Sequence, residues 1–187
     1  MTQSIFSLTD HEVFLVTASD GAKLGGFIAT WILPASLIPG PPRVLLLVAP
    51  ENATWDIIQS SQTFAIHLLS EDQADLIPKF GLDSSRDRDK FVRVDYDMID
   101  TLPIVKGCCG YSLCRLDTAF DIGERQIVLG LPYKHVVVEN KKPLKKKTAF
   151  SQFNPEILQK LLAKQQSMAA AAADSYGSAL LRHHTDP

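Results

Sequence analysis

Seven residues, Arg43 to Ala49 (Arg-Val-Leu-Leu-Leu-Val-Ala), constrain this chain more than any other stretch. They follow Pro39-Gly40-Pro41-Pro42, where three prolines fix φ and remove donors, so a loop must precede them. The run itself is short, apolar and free of polar alternation. Such a run reads as a strand covered on both faces, and the rest of the chain has to supply the cover. The neighbouring segments read in the same way. Val13 to Thr17 ends at the turn signal Ser19-Asp20-Gly21, and Gly26 to Leu33 is stopped by Pro34. Between these two, the glycine-rich Gly21 to Gly26 reads as a hairpin turn. Phe64 to Leu69, Tyr111 to Phe120 and Arg125 to Leu131 complete the set, with His135 to Glu139 continuing or pairing with the last.

Helices are few. Ser70 and Gln73 form a capping box with acids in the first turn, which predicts a helix over 71–80. Asn154 as N-cap and Pro155 at the first helical position open another, with Ile157, Leu158, Leu161 and Leu162 as its apolar stripe. A shorter helix is expected from Ala53 to Ser60, after the loop Pro50-Glu51-Asn52. Asp83 to Asp89 reads as a solvated charged loop. Strands joined by short turns, with helices inserted, suggest a β-barrel rather than a βαβ sheet. The expected organisation is one domain over residues 1–167, including the last helix, and a partly flexible Ala-rich tail over 168–187.

Composition removes several functions. The 19 Lys and Arg against 21 Asp and Glu give a net charge of −2, so the footprint of a general nucleic-acid binder is missing. No apolar run reaches the roughly 18 residues that cross a bilayer, so no membrane role is expected. The first ten residues show no basic region followed by an apolar stretch; a cytoplasmic location is the expectation. Three cysteines make no disulfide framework. Cys108, Cys109 and Cys114 lack zinc spacing, so no metal is expected; Cys114 reads as interior and the other two as lying near a turn. Dinucleotide, P-loop and serine-elbow signatures are absent from the sequence. Lys141 to Lys147 holds five lysines in seven residues, either a solvated run or an anion-attracting rim.

One ordered series reaches further. It runs from Gly26-Phe27-Ile28-Ala29-Thr30-Trp31 through Ser36, the proline loop and the valine- and leucine-rich strand. It continues with Asn52-Ala53-Thr54, with Phe64-Ala65-Ile66-His67, and with Gln73, Leu76 and Phe80. Later come Pro103 to Cys114, Gly123-Glu124-Arg125 with Ile127 to Gly130, and Pro143-Leu144. This series, over roughly residues 11–150, resembles the flavin reductase-like family. The resemblance implies a mainly β fold, the FMN-binding split β-barrel with a Greek-key-like path, six or seven strands and two or three helices. Pro143-Leu144 would precede its last strand. It also implies a homodimer with FMN at the subunit interface, NAD(P)H as co-substrate, and hydride transfer from nicotinamide to flavin. An electron-accepting partner protein is a further expectation. Two alternatives stay open: a flavin-binding electron carrier without NAD(P)H activity, and a flavin-less split-barrel interaction protein.

Under the resemblance, Ala49, Pro50, Glu51, Asn52 and Thr54 form the loop and helix start that meet the flavin phosphate, where free N–H groups favour an anion. Relatives often carry a basic residue at the position of Asn52, and Glu51 beside it is unfavourable for phosphate, so phosphate binding at this loop is conditional on a lysine reaching in from elsewhere. Ala29, Thr30 and Trp31 would flank the isoalloxazine ring, with Trp31 either stacking on it or serving as core. His67 stands where relatives carry asparagine, either as a hydrogen-bonded core residue or as a site residue. Arg125 stands where many have histidine near the nicotinamide, either acting on charge there or lying in solvent. Arg125 and His67 are thus the candidates for a catalytic role.

Overall fold

The computed structural model describes residues 5–37, 42–86 and 88–183, with side chains described as far as residue 173. Apart from Pro42, the expected proline loop lies outside the described residues. Strands β1 (Phe14–Ser19) and β2 (Leu24–Ala29) form the first hairpin, turned at Gly21 with φ of 87°. Next come β3 (Ile32–Pro34), β4 (Val44–Val48), helix α1 (Ala53–Ser61) and β5 (Thr63–Leu68). Helix α2 (Leu76–Gly81), the hairpin β6 (Tyr96–Ile99) and β7 (Leu102–Val105), and the long ribbon β8 (Gly110–Asp121) and β9 (Gln126–Val137) come after these. Helices α3 (Lys146–Gln152) and α4 (Pro155–His183) close the described chain.

Seven strands make one antiparallel sheet in the order β2-β1-β5-β8-β9-β4-β3, and β6-β7 form a separate pair. Among the described residues the large sheet does not close on itself, as a split barrel requires. Register shifts between Leu113 and Cys114 and between Leu116 and Thr118 bend the β8–β9 ribbon, so one long pair serves both halves of the barrel. One core lies inside the sheet, around Val16, Leu46, Phe64, Val128 and the α1 residues Trp55 and Ile58. A second lies between Leu15, Leu69, Phe80, Phe91, Leu144 and Ala149, under α2 and α3.

Four expectations change. The Gly26 to Leu33 run is not one strand, because it breaks at Thr30-Trp31 into β2 and β3. Strand β4 is not covered on both faces: Leu46 and Val48 are buried, while Leu45 and Leu47 are half-buried. Antiparallel pairing to β3 and β9 leaves its second face open, and Leu47 borders a groove there. The helix expected over 71–80 divides into a 3-10 turn at Glu71–Gln73 and α2. Pro78 has no N–H for the Ala74 carbonyl, which is instead taken by the Ile77 amide at 3.0 Å. Helix α3, and not a last strand, comes after Pro143-Leu144, and Leu144 itself is fully buried. The last two residues of the lysine-rich run, Lys146 and Lys147, therefore open a helix.

Helix α4 runs from Pro155 to His183 without a break at residue 168. Its covered face, Ile157, Leu158, Leu161, Lys164, Met168 and Ala172, has the spacing of one helical stripe, and the residues between are exposed.

Candidate functional site

Two glycines of β2 set the site's geometry. A Cβ on Gly25 would lie 2.8 Å from the Ile57 side-chain end and 3.0 Å from Thr54, so a side chain there would crowd α1 where it packs on the strand. A Cβ on Gly26 would lie 2.7 Å from the Phe80 ring, which brings the end of α2 to the same place. The start of α1, the end of α2 and the end of β2 therefore converge.

Between them and α4 runs a groove with three contiguous compartments of about 240, 360 and 370 Å³. Ile28 and Met168 border all three. The dimensions suit a cofactor site. The first compartment is bordered by Asn52, Ala53, Ser84, Ser85, Lys90 and Lys164, the other two by Thr30, Trp31, Arg125, Lys146 and Gln165. The groove thus has a two-lysine end and a wide mouth beside Trp31 and Arg125.

The lysines are the strongest electrostatic feature. Lys90 is buried, and its Nζ donates to the carbonyls of Gly26 and Phe80, each at 2.9 Å. Loss of water, reinforced by the charge of Lys164 and opposed by Asp83, pulls its ammonium down to about 8. Lys164 donates to the Leu82 carbonyl at 2.7 Å, and partial burial lowers it as well, again against Asp83. Neither lysine forms an ion pair among the described residues. Two cations that repel each other and hydrogen-bond only neutral carbonyls leave donors for an anion, although Asp83 and Glu51 border the same compartment and oppose it. Ser85 borders the same compartment, and its Oγ is buried with no hydrogen-bond partner among the described residues. The residues present therefore fit the phosphate of a nucleotide.

The expected site residues divide. Ala29, Thr30, Trp31, Ala49, Asn52 and Arg125 all border the groove, as does Glu51 at the lysine end. Trp31 is half exposed, so it walls the mouth and is not core. Asn52 caps α1: its Oδ1 accepts from the Thr54 amide at 2.9 Å, its carbonyl takes the Trp55 amide, and its own amide donates to Ala49. These bonds use the Thr54 and Trp55 amides at the helix start, while Ala53 borders the groove. Pro50 does not border the groove, and Thr54 is fully buried beneath the helix, its Oγ1 without a partner among the described residues.

His67 lies elsewhere. It is fully buried in β5, its Nδ1 donates to the Leu15 carbonyl at 3.0 Å, and its Nε2 accepts from the Val105 amide at 3.2 Å. Burial holds its imidazole down to about 4, so the ring is a neutral bridge tying β1 to β7. Its surroundings are those of a core residue and not of the groove.

Sequence reasoning missed Lys90, Lys164 and Ser85. The first and last sit at or beside a charged run read as solvated, and Lys164 lies on a helix read for its apolar stripe. The adjacent Phe91 was the usable signal, since its ring packs edge-on against Phe80 at 5.3 Å and carries Lys90 inward with it.

A family model described as a flavin reductase like domain matches residues 6–150. The chain is 30% identical over 120 residues to a flavin reductase of Pseudomonas putida, covering 63% of this chain and 68% of that one. It is 28% identical over 131 residues to the flavin-dependent monooxygenase reductase subunit HsaB of Rhodococcus jostii, covering 70% and 64%. The chain spans between half and about two thirds of the length of most curated relatives it matches first. Among solved structures, the NADH:FAD oxidoreductase SgcE6 of Streptomyces globisporus, in complex with NAD and FAD fragments, superposes with a TM-score of 0.69 at 22% identity. That match covers 79% of this chain and 88% of the other, and it shares the fold.

Proposed function

Because the chain belongs to the flavin reductase-like family, we propose that it binds a flavin nucleotide, FMN, in the groove and reduces it with NAD(P)H. The observation that carries this reading is the lysine end of the groove: Lys90 and Lys164, which form no ion pair among the described residues although Asp83 and Glu51 border the same compartment, beside the Ser85 hydroxyl, unpartnered among those residues. Lys90, Lys164 and Ser85 hold the phosphate. Phe27, Ile28 and Ala29 offer a narrow apolar floor to a flat ring, and Trp31 with Met168 limits water at its edge. Arg125 and Lys146 put positive charge at the mouth, where the phosphates of a dinucleotide enter. When bound, the flavin supplies the redox chemistry by accepting hydride, which asks of the protein only contact and orientation. No side-chain acid or base is required.

The relatives include a reductase subunit of a flavin-dependent monooxygenase, which supports an electron-accepting partner protein for this chain. The exposed apolar side chains of Leu33, Phe120, Tyr133 and Val137, together with the free edges of β2 and β3, support a homodimer. Among the described residues no helix is long and apolar enough to cross a membrane.

The test is anaerobic mixing of FMN-loaded protein with NADH and, separately, NADPH, followed by absorbance. Bleaching of the flavin band supports the reading. A protein that binds FMN but leaves the band intact with both nucleotides is an electron carrier, and one that binds no flavin rejects the proposal.

A further inference from the structure

The matched family domain ends at residue 150, and helix α4 begins at Pro155. Yet α4 is not an appendage pointing away. Lys164 borders the first and third compartments, Gln165 the second and third, and Met168 all three. The helix is seated by Leu161 in the second core and by the Lys164 ammonium on the Leu82 carbonyl. One turn of helix after Lys164 lies Met168, so a single inward stripe presents a cation to the end of the groove and an apolar side chain to its middle.

Resting on the proposed flavin reading, we propose that α4 is the outer wall of the flavin groove and that Lys164 makes this chain select phosphorylated flavins over riboflavin. The matched domain contributes one buried cation, Lys90, whose donors already reach Gly26 and Phe80. Beside it stand Glu51 and Asp83, both of which repel an anion, so one cation does not make the compartment positive. The second cation comes from α4. Lys164 donates to a neutral carbonyl, and its ammonium sits on a flexible stem. Phosphate replaces that carbonyl as the stronger, charge-assisted acceptor. Entry of the anion also relieves the repulsion between the two ammoniums. The ring region of the ligand meets Met168 and Gln165, whose contacts do not depend on phosphate.

The experiment compares FMN and riboflavin binding, by flavin fluorescence quenching, in the full-length wild type, Lys164→Met and Lys164→Arg. Lys164→Met keeps the stem and removes the charge. The expected result is a roughly tenfold loss of FMN affinity with riboflavin affinity unchanged, and recovery of most of that loss in Lys164→Arg. Thermal unfolding of each variant verifies that α4 is still seated. The inference is overturned if Lys164→Met binds FMN as the wild type does, or if it loses FMN and riboflavin equally. It is overturned too if the wild type does not prefer FMN to riboflavin, a result that leaves flavin reduction standing. A wild type that binds neither flavin rejects both readings.

Discussion

His67 and Lys90 are both polar side chains taken out of water, and they teach opposite lessons. His67 has a partner for each ring nitrogen, one from β1 and one from β7, and it borders no part of the groove. Lys90 has two neutral carbonyl partners, a second cation nearby and a groove in front of it. A buried group whose hydrogen-bonding capacity is spent inside the protein is architecture. A buried charge that is hydrogen-bonded only to neutral carbonyls, with Asp83 nearby but in no ion pair with it, is unfinished until a ligand arrives.

The largest effect that sharpens this contrast is on folding. His67→Ala leaves the Leu15 carbonyl and the Val105 amide unpaired and opens a cavity, so it should cost about 3 kcal/mol or more of stability in urea unfolding. A loss below about 1 kcal/mol would break the assignment of His67 to the core.

Acid probes the same residue without mutation. The folded imidazole titrates near 4 against an ordinary value of 6.5, so the unfolded chain binds the extra proton first. Stability from this group is present above pH 6.5 and declines as pH falls from 6.5 towards 4. Over that window the wild type should lose on the order of 3 kcal/mol more than His67→Gln. Parallel pH profiles would contradict the neutral bridge.

Lys90→Met addresses the other side of the comparison. It should weaken FMN by about 2 kcal/mol, some thirtyfold, while costing about 1–2 kcal/mol of stability, because two carbonyls lose a donor while the strain of a desolvated charge is relieved. In the wild type, FMN affinity should fall as pH rises through about 8, where Lys90 gives up its proton. If affinity is flat from pH 7 to 9, Lys90 is not the phosphate's partner.

The smallest effect is expected at Asn52, which shares features of both classes. Its Oδ1 is committed to the Thr54 amide, so Asn52→Ala should cost about 1 kcal/mol of stability as a lost cap. FMN affinity should fall only a few-fold, because the helix start shifts without losing a charge. A loss as large as that in Lys90→Met would move Asn52 from scaffold to ligand contact.

The barrel was largely legible because strands β1, β4, β5, β8 and β9 are each written as apolar runs with turn residues between them. The β6–β7 hairpin was not. Its turn uses Asp100 and Thr101 at φ of 49° and 69°, without the glycine that announces such a turn. Helix α3 was hidden by lysines at its start, although Ala149 and Phe150 anchor it to the core. At the site, the β2 end and the α1 cap could be read locally. The lysine pair could not, because Lys90 and Lys164 are far apart in the chain and meet only once α4 folds over the groove.

The most direct measurement is an FMN titration of the wild type and of the double variant Lys90→Met, Lys164→Met, at pH 7 and low salt. The account predicts saturable quenching of flavin fluorescence in the wild type and its near-complete loss in the double variant, with both proteins folded. Equal FMN affinity in the two proteins would contradict it, since the groove would then hold its ligand without the charges on which this reading rests.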